Sequence, residues 1–402
     1  MHNFRKIKNN VYYVGASDRR IELFENIHHV SYGMSYNSYL VKDDDTVLFD
    51  TVDISVANAF FENLAGALGG RYLDYCVIDH MEPDHAATLA MLAERYPETR
   101  FVGNAKTFQM LGQFFPSYSF ADRCITVKDG DTLKTGEHEF TFVMAPMVHW
   151  PEAMVSYDAL DKILFSADAF GTFGALSGNL FADESAFYAD YWTDARRYYT
   201  NIVGKYGPQT LALLKKAEAL DIDMICPLHG PIIRENIYEY ILKYRIWGSY
   251  EPELNSVCIF CGSIYGDTMN VSEILASTLA DDGVRGIALY DVSKTDTSRM
   301  VAEAFRYSTL VFSSVTYNNR VFPPMGELID DIAALGLRNR SYAVIENGTW
   351  APSAGDKIDS VLSSLKGFEP IAEKITIRSA PTEIDAEIVR CLGHKISRRI
   401  LH

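Results

Sequence analysis

His80-Met81-Glu82-Pro83-Asp84-His85 decides how the rest of the chain is read. It follows Tyr75-Cys76-Val77-Ile78, an apolar run that predicts a buried strand, and it precedes a helical pattern over 86–92. Two histidines and two acids therefore sit on the loop at a strand's C-terminal end, where a rigid scaffold presents chemistry. Solvation explains a lone histidine on such a loop. It explains poorly four metal-ligand types within six residues. Alternation along the segment can send His80 and Glu82 to one metal and Asp84 and His85 to another.

Three further strand-like runs end the same way. The run 140–144 leads to Ala145-Pro146-Met147-Val148-His149-Trp150, the run 163–166 leads to Asp168, and the run 223–226 leads to His229. Any one of these could be chance; four successive strand ends carrying His, Asp or Glu are hard to explain as packing. The first stretch resembles the His-x-His-x-Asp-His motif of the metallo-β-lactamase superfamily, with Glu82 in place of the second histidine. Imidazole-rich sites suit zinc, whereas mixed imidazole and carboxylate suits iron. The added negative charge favours a site that holds Fe(III) as well as Fe(II). The His-x-Glu-x-Asp-His variant resembles that of the flavodiiron proteins. The resemblance implies two non-haem iron ions, one on His80, Glu82 and His149 and the other on Asp84, His85 and His229, with Asp168 bridging. Asp50, at the end of Thr46-Val47-Leu48-Phe49, either supports that site or caps the helical pattern over 56–68. His28 and His29 have no spacing that makes them ligands. Tyr198 and Tyr199, on a predicted helix, either approach the pocket or pack in the core.

A chain of 402 residues predicts two or more domains, and 48% hydrophobic residues can fill sizeable cores. The formal charge of −16 argues against nucleic acid and anionic membranes as partners. No run of 18 apolar residues occurs, and Met1-His2-Asn3-Phe4-Arg5 has no signal-peptide core, so a soluble, cytoplasmic protein is expected. The six cysteines, at 76, 124, 226, 258, 261 and 391, lie mostly in apolar runs and read as reduced thiols. Cys258-Ile259-Phe260-Cys261 lies within a strand, which argues against a redox or zinc role.

The pattern breaks over 245–253, where Gly and Pro predict a linker. Beyond it, strands over 257–261, 286–292, 309–314, 341–345 and 374–377 alternate with helices over 268–279, 298–307, 325–337 and 354–365, and a last helix spans 383–396. That is the pattern of a doubly wound parallel sheet. Its first turn, Cys261-Gly262-Ser263-Ile264-Tyr265-Gly266-Asp267-Thr268, offers hydroxyls, a glycine and a helix N-terminus as a phosphate cradle. It is similar to the flavodoxin phosphate loop, with Asp267 where Asn is usual; Asp267 is expected to cap the helix. Two more loops, Ser314-Val315-Thr316-Tyr317-Asn318-Asn319 and Glu346-Asn347-Gly348-Thr349-Trp350, place aromatics and amides where flavodoxins hold the isoalloxazine ring. FMN is the implied cofactor. No Gly-x-Gly-x-x-Gly turn calls for a tightly held nicotinamide dinucleotide.

The resemblance to flavodiiron proteins thus spans the chain. It implies an αββα metallo-β-lactamase-like sandwich over 1–250 followed by a flavodoxin-like domain over 254–402. It also implies an oxidoreductase in which FMN passes electrons to the diiron site, which reduces O2 to water, NO to N2O, or both. No C-terminal Cys-x-x-Cys pair of a fused rubredoxin follows, so a separate donor, rubredoxin or a rubredoxin-like protein, is expected. The family resemblance further implies a head-to-tail homodimer, or a dimer of dimers, in which each FMN faces the partner's iron. The alternative is a zinc-dependent hydrolase with an appended electron-transfer domain. A plain electron carrier would need only the second domain and would leave the ligand set unexplained.

Overall fold

In the strand Thr46–Phe49, Val47 and Phe49 face one apolar cluster and Leu48 faces another. A strand apolar on both faces has to be covered on both, and this sets the layers of the first unit. A computed structural model describes residues 3–402; Met1 and His2, the start of the N-terminal stretch read above, lie outside the described residues. The chain divides into a first unit ending at Gly248 and a second from Ser249 to His402.

The first unit stacks two sheets. One orders the strands Arg5–Lys8, Val11–Tyr13, Tyr39–Lys42, Thr46–Phe49, Tyr75–Val77, Arg100–Gly103 and Cys124–Thr126, antiparallel at first and parallel from Thr46–Phe49 onward. The other orders Thr132–Lys134, Glu139–Met144, Met154–Asp158, Ile163–Phe165 and Met224–Cys226, antiparallel except for the last pair. Tyr39, Phe49 and Val77 meet Phe140, Phe165 and Cys226 between the sheets. Helices cover the outer faces. Ala57–Leu68 buries Phe60, Phe61, Leu64 and Leu68, a helical stripe, in the cluster that holds Leu40, Leu48 and Cys76. It stops at Gly69, whose φ of 61° lets its N–H reach the Ala65 carbonyl. Strand direction then places the chemistry. Glu139–Met144, Ile163–Phe165 and Met224–Cys226 all run the same way, so the loops that follow them open at one end of the sandwich.

The expected linker is shorter than the Gly and Pro suggested. Ile237–Gly248 is one helix, and Trp247, 1% exposed, belongs to the first unit's core. Tyr250, 2% exposed, already belongs to the second unit's core. Two large rings in this stretch are worth more buried than solvated.

In the second unit the parallel order is Ala288–Asp291, Leu254–Gly262, Tyr307–Tyr317 and Arg340–Asn347, with Phe368–Pro370 and Ile375–Ile377 both pairing with Arg340–Asn347. By chain order this is 2-1-3-4-5, the flavodoxin-like sheet. The last strand comes in two pieces where one was expected, the first closing on Pro370, which has no N–H to give. Cores lie on both faces of the sheet. The architecture is therefore the expected α/β pair of a sandwich and a doubly wound sheet. No helix among the described residues is long and apolar enough to cross a membrane.

Candidate metal centre and flavin cavity

His80, Glu82, His149 and Asp168 each offer a ligand atom within 4.8 Å of the others, and so do Asp84, His85 and His229. All seven expected ligands thus converge, from four strand ends. Asp168 joins the two groups. Its Oδ2 lies 3.1 Å from His80 Nε2 and 3.0 Å from His149 Nε2, while its Oδ1 lies 3.3 Å from His85 Nε2 and 3.7 Å from His229 Nε2. Glu82 Oε2 closes the first group at 3.3 Å from His80 Nε2 and 3.0 Å from His149 Nε2. Asp84 Oδ2 closes the second at 3.2 Å from His85 Nε2 and 3.1 Å from His229 Nε2. His85 Nε2 and His229 Nε2 stand 3.0 Å apart, aimed at common space.

The electrostatics are those of a cation site. Burial and Asp84 oppose ionisation of Glu82, yet hydrogen bonds from His149 and His80 hold its carboxyl down at about 2. Burial also opposes ionisation of Asp168, and His80, His149 and His85 overcome it, holding the carboxyl well below the usual range. Burial disfavours charged imidazoles, but Asp84 and Asp168 raise His85 to about 10, and Asp168 and Glu82 raise His149 to about 9. Protons there stand in for missing positive charge. Both oxygens of Asp84 and Oδ1 of Asp168 are buried without a hydrogen-bond partner. Orphaned carboxylate oxygens beside converging imidazoles fit metal ions, and the mixed donor set fits iron.

The supporting groups are mostly ones the residue pattern did not reveal. Glu152 Oε1 lies 3.0 Å from His80 Nδ1 and accepts from the Met81 N–H, which orients the ring. The Ser35 carbonyl does the same for His229, 2.7 Å from its Nδ1. Asn104 caps the helix Ala105–Phe114 through Oδ1 and donates from Nδ2 to the Glu152 carbonyl. Asp50 Oδ1 accepts from the Asp79 and His80 N–H groups, so it holds the ligand loop, while Asp53 caps the short helix Ile54–Val56 that follows. Glu25, on the turn between Leu23–Phe24 and His28–His29, hydrogen-bonds Glu82; burial first, then the Glu82 charge, raises its carboxyl to about 8. His28 pairs with Glu25 at 3.7 Å rather than with the clusters. Of the two tyrosines, Tyr198 packs edge-on to His229, whereas Tyr199 packs against Tyr244 and Trp247. Only the strand-end position of the ligands was visible in the residue pattern; Glu152 and Ser35 sit 72 and 194 residues from the histidines they hold.

In the second unit, a cavity of about 570 Å³ opens at the strand C-termini. Ser263, Ile264, Tyr265, Asp267 and Thr268 line it from the first loop. Val315, Thr316 and Asn318 line it from the second, and Asn347, Gly348, Thr349 and Trp350 from the third. Two expected residues do not line it. Gly266 acts through its backbone: with φ 106° it is the N-cap position of the helix Asp267–Asp281, and its N–H meets Ser263 Oγ. Tyr317 packs against Phe322 and pairs with Arg320 across the tight turn Asn318-Asn319, both asparagines left-handed. Asp267 is the first helical residue, not the cap expected of it, because the left-handed turn at Gly266 takes that position. Ser379 also lines the cavity and was missed, although it too follows a strand end; its Oγ lies 2.7 Å from Thr349 Oγ1. A Cβ on Gly348 would come within 2.9 Å of the Pro352 Cα, so the third loop can pass there only with glycine. Thr268 Oγ1, in the first turn of the helix, is buried without a partner, which fits a phosphate oxygen.

A family model described as "ODP family beta lactamase" matches residues 34–230. An anaerobic nitric oxide reductase flavorubredoxin from Vibrio vulnificus is 32% identical over 370 residues, 90% of this chain and 73% of that protein. One from Escherichia coli is 29% identical over 402 residues, 98% of this chain and 82% of that protein. Among solved structures, the rubredoxin oxygen:oxidoreductase of the anaerobe Desulfovibrio gigas superposes with a TM-score of 0.93 at 28% identity, over 99% of each chain. The flavodiiron protein of Giardia intestinalis shares the fold with a TM-score of 0.93 at 24% identity, over 100% of this chain and 97% of that one. With two adjoining groups of candidate ligands in its sandwich and a flavodoxin-like unit following in sequence, the chain belongs to the flavodiiron family of oxidoreductases.

Proposed function

We propose that His80, Glu82 and His149 hold one iron ion, that Asp84, His85 and His229 hold a second, and that Asp168 bridges them. The observation that carries this reading is the division of the Asp168 oxygens, Oδ2 towards the first group and Oδ1 towards the second. Two iron ions so held, with FMN in the cavity of the second unit, would supply the redox chemistry that reduces O2 to water or NO to N2O. The chain's residues set the conditions for it. Glu82, Asp84 and Asp168 neutralise three of the four positive charges of two Fe(II) ions. Glu152 and the Ser35 carbonyl fix the tautomers of His80 and His229, so that each Nε2 stays free to coordinate. Phe24, Tyr36 and Tyr198 pack edge-on around His229 and keep water from its flank. In the second unit the N-terminus of Asp267–Asp281, with Ser263 and Thr268, would hold the FMN phosphate, and the Val315–Asn318 and Asn347–Trp350 loops would hold the ring.

The relatives' printed names, nitric oxide reductase and rubredoxin:oxygen oxidoreductase, support O2 and NO as substrates and a rubredoxin-type donor. Tyr265 and Trp350 stand 94% and 88% exposed at the cavity, which supports a second copy of the chain covering it in a head-to-tail homodimer. A cytoplasmic location fits the free cysteines. The lactamase-type hydrolase reading has no use for the flavodoxin-like unit and is set aside. Elemental analysis, a flavin spectrum and turnover of O2 and NO under one reductant test the proposal. Two irons and one FMN per chain with gas consumption are expected; zinc alone with hydrolase activity would overturn it. Light scattering in solution tests the dimer, and a monomer with full activity would remove it.

A further inference from the structure

A second group of ligand-type side chains lies at the opposite end of the strands that carry His149 and Asp168. His138 immediately precedes Glu139–Met144, Asp158 closes Met154–Asp158, and Asp161 stands on the turn into Ile163–Phe165. They are 2%, 0% and 4% exposed, and each offers a ligand atom within 4.8 Å of the others. His138 Nδ1 lies 2.9 Å from Asp158 Oδ2. The histidine–carboxylate pairs of the first cluster have nearly the same spacing. It is close to the edge of a coordination polyhedron, about 3.0–3.4 Å for bonds of roughly 2.0–2.2 Å.

Hydrogen bonding leaves a gap at this place. Asp161 Oδ1 accepts from Asn9 Nδ2 at 2.6 Å, but Asp161 Oδ2 is buried and has no partner. A carboxylate oxygen in that position calls for a donor or a cation. Charge points to the cation. Asp43, whose Oδ2 accepts from the His138 N–H, joins Asp158 and Asp161 as a third acid, and all three act on His138. Lys8, bound to the Asp161 carbonyl oxygen at 2.6 Å, is the one lysine hydrogen-bonded here among the described residues. With Lys8 at the Asp161 carbonyl and Arg71 at the Asp43 carbonyl, the three acids still outnumber the cations, and the buried, partnerless Asp161 Oδ2 is where a further cation would meet the excess.

We propose that His138, Asp158 and Asp161 form a cation site, separate from the pair bridged by Asp168, that takes a divalent first-row ion of the Zn2+ or Mn2+ class. The mixed imidazole and carboxylate set suits such ions. The ion ties together turns of different hairpins of the sandwich: Asn9, Asp43, His138 and the turn from Asp158 to Asp161 each belong to a different one. Its role is structural, at the end of the strands away from the ligand loops.

The test uses the purified holoprotein, dialysed against Mn2+ or against Zn2+ and then desalted, with iron measured in the same sample. One extra equivalent of one of these ions per chain, iron unchanged and a higher melting temperature are expected. Asp161→Asn and His138→Gln should each weaken that uptake by more than about 100-fold, beyond the loss of an outer-shell partner. Uptake of neither ion overturns the site and leaves the hydrogen bonds among these turns as the whole staple. An extra ion that both variants keep, or one that enters as iron leaves, also overturns it. Should neither variant fold, X-ray absorption at the zinc edge of the wild-type protein decides: one imidazole with carboxylates supports the site, and a shell without imidazole refutes it. Because iron is read separately, failure here is distinct from failure of the diiron reading.

Discussion

The ligand cluster of the first unit and the cavity of the second are built from opposite materials. In the first, charged side chains are almost wholly buried: His80, His85 and Asp168 are each 1% exposed. In the second, turns and hydroxyls form the walls, and its largest rings stand in the open. The difference follows from what each has to hold. Buried carboxylates are stable beside imidazoles only where protons on those rings or metal ions among them balance the charge. A phosphate is held by N–H groups at a helix end and needs no buried charge. The two sites should therefore fail separately and through different kinds of substitution.

The largest expected effect is that of Asp168→Asn. A neutral amide cannot present two anionic oxygens, so metal affinity should fall by more than about 100-fold for both ions, while flavin content stays unchanged. Loss of flavin as well, by visible absorbance, would break the comparison. Next comes pH. His149 at about 9 and His85 at about 10 both carry protons at pH 7 in the metal-free chain, and coordination requires both neutral. Loading both ions should thus release at least two protons, one at each group, so the product of the two affinities should rise about 100-fold per pH unit between pH 7 and 8 and fall equally below 7. Metal titration in a weakly buffered solution with a pH indicator measures it; a flat profile contradicts the charge assignment. FMN binding should show no such slope.

Thr268→Val keeps the shape of the first turn but removes the orphaned hydroxyl. FMN should bind roughly 10- to 100-fold more weakly, the worth of a hydrogen bond to a charged group, with iron unaltered. Fluorescence titration checks this. Glu152→Gln retains a hydrogen-bonding group at His80 while removing its charge, and metal affinity should fall by about tenfold. An unchanged affinity would mean that Glu152 only fills space. The smallest effect belongs to Asn104→Ala, which removes a helix cap worth about 1 kcal/mol. A lower melting temperature with full iron at saturation would separate the frame of the site from the site itself.

The ligand order was legible because side chains at strand ends leave a mark in the residue pattern: an apolar run, then a histidine or an acid. The doubly wound unit was legible for the same reason, through alternating periods. Three features escaped. The stretch 245–253 looked like a linker from its Gly and Pro, yet Trp247 and Tyr250 find cores to enter. Asp267 looked like a cap, but the left-handed Gly266 before it takes that position. Glu152 carries no mark, since any acid on that loop would read the same, and Ser379 has only its place after a strand end, which a lone hydroxyl does not turn into a signal.

Residue types at successive strand ends, read with the family resemblance they carry, thus singled out seven side chains that could meet metal and three loops that could meet a flavin. Only the tertiary structure decided that Asp168 turns one oxygen to each group, that Ser35 and Glu152 stand behind two of the histidines, and that His138 meets Asp158 and Asp161. Ligand identity is a property of single residues. Bridging and support depend on where the ends of distant strands come to rest, and that is set by how two sheets pack face to face.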